Sequence, residues 1–152
     1  MVPFNLVDYV LDPELVGVEP VYKQLFLVPA ESNPSLKKLK DAIRSRFAAL
    51  NPPQKIVASL RGDSLTVTID KFRFFIGFSS APHVLLESRE MAEHFAAQHP
   101  ARDAIAAVSC RFELNSGNDP SMDHFNDMVF ICQAVESLGP VYIFNPRTKE
   151  FV

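Results

Sequence analysis

The side chains in this sequence that are best spaced to act together are acidic. Asp119, Asp123 and Asp127 recur at steps of four, with His124 among them. On a helix, that spacing lays side chains along one side. Glu113, on the segment before, is placed to approach the same row. A row of this kind is a negative ridge suited to docking a basic protein surface, because complementary charge speeds encounter and fixes register. A simpler role competes with that one. Asp119 stands directly before Pro120, as an N-cap would, and acids in a first turn complement the helix dipole by about 0.5 kcal/mol each. Asp127 lies further along and is less well explained by the dipole. Asp119, Asp123, His124 and Asp127 are therefore the candidate partner-binding residues.

The other reactive side chains do not assemble into a recognisable chemistry. Glu90 and His94 stand four apart, with His99 beyond them, but no HExxH pattern or cysteine pair accompanies them. A metal site needs more converging ligands than that, and a solvated helix surface accounts for the spacing. Cys110 sits between Val108 and Phe112 on an apolar face, where a thiol is inert packing rather than a nucleophile. Five glycines are scattered without clustering, so no phosphate-cradling loop, GxSxG elbow or dinucleotide fingerprint is present. No catalytic, cofactor-binding or metal-ligating residue is assigned, and no cofactor is expected. The loop Ser79-Ser80-Ala81-Pro82-His83 could edge a pocket, which keeps a small-molecule-binding or enzymatic domain as an alternative.

These residues need elements to carry them. Val21 to Val28 reads as a strand whose end, Leu25 to Val28, is buried on both faces. Asn33 and Pro34 open a helix whose stripe is Leu36, Leu39, Ile43, Phe47 and Leu50, closed by Asn51-Pro52-Pro53. Its outer side carries Lys37, Lys38, Lys40, Arg44 and Arg46, a solvated basic face. Ile56, Ala58 and Leu60 alternate, as do Leu65, Val67 and Ile69, and then Phe72, Phe74, Ile76 and Phe78. The parity changes between Ile69 and Phe72. A two-residue turn at Asp70-Lys71 restores one apolar face and makes a three-stranded meander; one long bulged strand is the alternative. A helix is expected over Ser88 to His99, a strand over Ala104 to Leu114, and a loop over Asn115 to Asn118. The last helix runs from Asp119-Pro120 to a left-handed stop at Gly139, and Val141 to Phe144 is the final strand, with Phe151 and Val152 free to pair back.

The expected fold is α+β: a single mixed β-sheet of five to six strands with three helices largely on one face, in the order β-α-β-β-β-α-β-α-β. Residues 1 to 152 form a single domain, in which residues 1 to 20, rich in proline and anchored by Phe4, Leu6 and Tyr9, form an irregular arm. The last helix contains Met128 to Cys132 (MVFIC), apolar all round, so it is either covered by other elements or is a seam for a homodimer.

At 152 residues, with 47% apolar and 22% charged residues, the chain can close a core unaided. Thirteen Phe and no Trp point to phenylalanine packing. A net charge of −3 argues against nucleic acid as a partner. Early acidic residues Asp8, Asp12 and Glu14 argue against a secretory signal, and no apolar run reaches the roughly twenty residues of a membrane span. With two isolated cysteines, Cys110 and Cys132, these features lead to a cytoplasmic expectation.

The element order resembles a bacterial family of uncharacterised cytoplasmic α+β domains. The resemblance is carried by VYKQLFLVPA, FRFFIGFSSAPH and DAIAAVSCRFEL with the helix that follows. The ending VYIFNPRTKEFV is similar to endings of small immunity proteins that neutralise secreted bacterial toxins. The resemblance spans most of residues 21 to 152 as pattern, with no invariant motif, and carries over no functional residue. It implies binding rather than catalysis: an immunity protein that sequesters a cognate toxin with a basic surface.

Overall fold

The computed structural model describes residues 21–152, so the expected arm over residues 1 to 20 lies outside the described residues. The first strand, β1 (Val21–Val28), leads through a short 3-10 turn (Ala30–Ser32) into α1 (Leu36–Ala48). The meander follows as β2 (Val57–Arg61), β3 (Ser64–Ile69) and β4 (Phe72–Ser79). Next come α2 (Pro82–Phe95), α3 (Arg102–Ala106), β5 (Cys110–Asn118), α4 (Phe125–Glu136), β6 (Tyr142–Asn145) and β7 (Glu150–Phe151).

The α+β class holds, and several finer expectations do not. The sheet has seven strands in the order β2-β3-β4-β5-β1-β6-β7, and every pairing is antiparallel rather than mixed. Four α-helices occur among the described residues, not three, and they divide between the two faces. On one face, α1 and α4 pack Leu39, Ile43, Phe47, Met128, Ile131 and Val135 onto Phe26, Val67, Phe74 and Phe112. On the other, α2 and α3 pack Met91, Ala92 and Ile105 onto Leu25, Leu27 and Phe144. Strand β1 explains the division. Its consecutive residues Leu25 to Val28 are all buried, and a period of two sends alternate side chains to opposite faces, so both faces need a cover. The second face is only partly covered, because Val57 on β2 and Phe75 on β4 remain exposed.

The Asp70-Lys71 turn is present as read. Both residues take positive φ (49° and 71°), the geometry of the two-residue hairpin turn that matches strand twist. Ile69 pairs with Phe72, Val67 with Phe74 and Leu65 with Ile76, all on the core face. Leu60 likewise pairs with Leu65, and Phe151 pairs back on Phe144.

Helix boundaries moved for local reasons. Ser35, not Asn33, caps α1, its hydroxyl accepting from the Lys38 N–H, while Asn33 takes the left-handed conformation that ends the 3-10 turn. The helix expected over Ser88 to His99 is α2, Pro82–Phe95, so the loop expected over Ser79 to His83 shrinks to Ser80 and Ala81 between the end of β4 and Pro82, which sits in the first turn of α2, where a missing N–H costs nothing. Alanine-rich Arg102–Ala106 forms a helical turn, consistent with alanine's propensity, so the strand begins only at Cys110 and continues through the expected loop to Asn118. The apolar run in α4 is absorbed within the chain. Met128 and Ile131 are buried, and Phe130 packs edge-on against Phe47 with the Arg46 guanidinium over its ring. No helix among the described residues is long and apolar enough to cross a membrane.

Candidate functional site

The four acidic-row residues do not share a helix. α4 begins at Phe125, so Asp119 and Asp123 precede it and His124 stands at its N-cap position. Asp119 is the residue that displaced the expected start. Instead of capping a helix at Pro120, its carboxylate closes the corner between β5 and α4. Asp119 Oδ2 accepts from the Tyr22 hydroxyl at 2.5 Å and from the His124 backbone N–H at 2.8 Å. Burial pushes this carboxyl up, but the Tyr22, His124 and Asp123 donors more than offset it and hold it below its ordinary value. Burial and the same carboxylate push the Tyr22 phenol well up, so it stays a donor.

Asp127 is also turned inward. His124 Nδ1 lies 2.9 Å from Asp127 Oδ2, within hydrogen-bond distance. The imidazole stacks on Phe72 at 4.4 Å with planes 10° apart. Tyr22 in turn contacts Phe72, Phe74 and Phe125. The corner is therefore built from three distant parts of the chain: β1, the β3–β4 hairpin and the β5–α4 connection.

Asp119 and Asp127 are buried and Asp123 is exposed, so the expected common acidic side is not present. Two carboxylates hold the corner, and one faces outward. The corner also projects residues that the charge pattern overlooked. Met122 is held at a φ of 55° and is 49% exposed, and Phe125 is 42% exposed, in a chain whose other aromatic residues mostly pack inward. Beside them runs a cleft of about 350 Å³ lined by Tyr22, Gln24, Met122, Phe125, Met128 and Arg147, among others. Gln24 was the available sequence signal. In β1 the residues Tyr22, Gln24, Phe26 and Val28 share the α1/α4 face, and a carboxamide interrupts that apolar row.

A second cluster lies across the sheet. Arg111 and Glu113 point to the face covered by α2, where Arg111 Nη2 meets Glu87 Oε1 at 2.6 Å and Arg111 Nε meets Glu113 Oε2 at 2.6 Å. His83 Nε2 stands 3.9 Å from Glu87 Oε2. Arg111 meets Glu87 with both its charge and a side-chain hydrogen bond, and each favours the ionised carboxylate. Burial pushes the Glu87 carboxyl above its ordinary value, with Arg111 only partly offsetting it. A cavity of about 300 Å³ opens beside this cluster, lined by Lys23, His83, Arg111, Glu113 and Asn115, among others. Ser79 does not line it, so the His83 end of the expected pocket edge meets this cavity and the Ser79 end does not.

Cys110 is buried, its Sγ 3.2 Å from the Val28 carbonyl oxygen, and burial raises its thiol pKa. Cys132 is half-buried, and its thiol is pushed up to about 12. Thiols in such surroundings are poor nucleophiles. Glu90 is half-buried and His94 exposed on α2. No protein-family model, no curated protein and no solved structure matches this chain.

Proposed function

We propose that this protein is a protein-binding module whose contact surface is the β5–α4 corner, residues 119 to 128, and that it acts as a bacterial immunity protein, holding a cognate toxin through a basic patch in the cytoplasm. One observation carries the reading. Met122 and Phe125 are large apolar side chains left exposed next to the exposed Asp123, on a corner fixed from beneath by buried hydrogen bonds. Exposed aromatic and methionine side chains on a rigid base are what interface anchors require: they desolvate much area at little entropic cost. Asp123 supplies the charge that a basic partner meets. Asp119, His124 and Asp127 act as positioning residues rather than contact residues.

A photo-crosslinking residue at Met122, with Val57 on the far sheet face as control, tests this in cells that carry the gene. The expected result is one protein captured from position 122 and not from 57. The same capture should be lost when Asp123→Lys is added. Equal capture from both positions, or capture indifferent to D123K, contradicts the reading.

A second reading rests on the cavity beside His83, Arg111 and Glu113, which suits a small polar molecule. It has less support, because the Arg111 charge is already met by two carboxylates at 2.6 Å. A homodimer through α4 has less still, since Phe47 and Arg46 cover Phe130.

A further inference from the structure

Gln24 is out of place. It is only 6% exposed, it lies between Tyr22 and Phe26 on the core face of β1, and its Oε1 has no hydrogen-bond partner among the described residues. A buried amide oxygen left without a donor is destabilising, and an apolar residue of the same shape would remove that penalty. An orphaned acceptor at the wall of a cleft is a group that a donor entering the cleft can complete. Gln24 lines the 350 Å³ cleft whose other walls include Tyr22, Met122, Phe125 and Met128.

The chemistry of the gap defines its complement. A carboxamide offers one N–H donor edge and one C=O acceptor edge in a plane. In an extended segment the backbone N–H and C=O of one residue point to the same side, so a strand-like stretch of any protein partner meets both edges at once. The apolar neighbours add a place for one aliphatic or aromatic side chain next to that residue. We infer that this cleft receives an extended peptide segment of the partner, with the backbone N–H and C=O of one residue paired to the Gln24 carboxamide and an adjoining apolar side chain laid against Met122, Phe125 and Met128. This assignment rests on the protein-binding reading of the same corner and names the part of the partner that is read there.

The probe is a displayed library of random linear peptides selected against the full chain. Binders are then measured against Gln24→Leu, Gln24→Asn and Met122→Ser. The expected result is a peptide whose affinity falls at least about tenfold in Q24L and falls partially in Q24N, which keeps the amide but withdraws it. Q24L should melt no lower than the parent, which separates lost binding from lost folding. In a sample labelled with nitrogen-15, the side-chain amide signals of Gln24 should shift on adding that peptide. If binders are weakened by M122S but not by Q24L, the corner remains a binding surface and the role given to Gln24 is wrong. If no selected peptide depends on Gln24, or if binding is indifferent to both substitutions, this inference is overturned; the second outcome also removes the corner reading.

Discussion

Two buried carboxylates, Asp119 and Glu87, flank the same strand pair on opposite faces and are stabilised in opposite ways. Asp119 is met by aligned donors, the Tyr22 hydroxyl and the His124 N–H, and its pKa is lowered despite burial. Glu87 is met by a full positive charge at 2.6 Å and its pKa is nevertheless raised. The contrast follows depth: desolvation of Glu87 exceeds what the Arg111 charge and hydrogen bond return, whereas the donors around Asp119 outweigh a smaller desolvation. It also divides the roles of the two faces. The Asp119 cluster rigidifies a corner that projects Met122 and Phe125, while the Glu87 cluster ties α2 to β5 and opens on a cavity through His83 and Glu113.

The sharpest way to break the comparison is to remove one member of each cluster. Arg111→Met strands Glu87 in the interior and should cost about 3–5 kcal/mol, read by denaturant unfolding. Tyr22→Phe takes one donor from Asp119 but leaves the others, and should cost about 1.5–3 kcal/mol on the same measurement. A Y22F loss as large as that of R111M would erase the distinction.

The pH dependence carries opposite signs and sharpens it further. Asp119 has a lowered native pKa, so its contribution is present above the ordinary value near 3.8 and is lost as pH falls through the native value. Glu87 has a raised native pKa, so its contribution is full below the ordinary value near 4.5 and is lost as pH rises through the native value. Stability measured against pH should therefore show a shallower acid loss in Asp119→Asn and a shallower loss on the rising side in Glu87→Gln. Profiles parallel to the parent in both variants would contradict the assigned shifts. The smallest expected effect is that of Asp123→Lys, an exposed charge whose reversal should change stability by no more than about 0.5 kcal/mol. A larger change would mean that Asp123 helps to build the corner rather than to face a partner.

Much of the scaffold was legible in the residues, where neighbours in sequence decide the outcome. The parity change between Ile69 and Phe72 fixes the hairpin, because a period of two leaves one consistent pairing. The α1 stripe and the return of Phe151 onto Phe144 follow from similar local patterns. The corner was legible only as a set of names. Asp119 before Pro120 carries a helix-start signal, but Tyr22, 97 positions earlier in the chain, takes its carboxylate, and a contact of that range leaves no mark on local spacing. Glu113, expected to approach the acidic row, lies on the opposite face instead, paired with Arg111 beside Glu87 of α2, because alternation along β5 sends Arg111 and Glu113 away from the side that Phe112 and Leu114 share. The double burial of Leu25 to Val28 was itself a sign that helices lie on both faces of the sheet, in conflict with placing them largely on one.

The most direct measurement is the affinity of the protein captured at position 122 for the parent chain and for a Met122→Ser, Phe125→Ser, Asp123→Lys variant that melts with the parent. Loss of an anchor cluster is expected to weaken binding by at least about thirtyfold. An unchanged dissociation constant in a folded triple variant would show that the β5–α4 corner is not where this protein meets its partner.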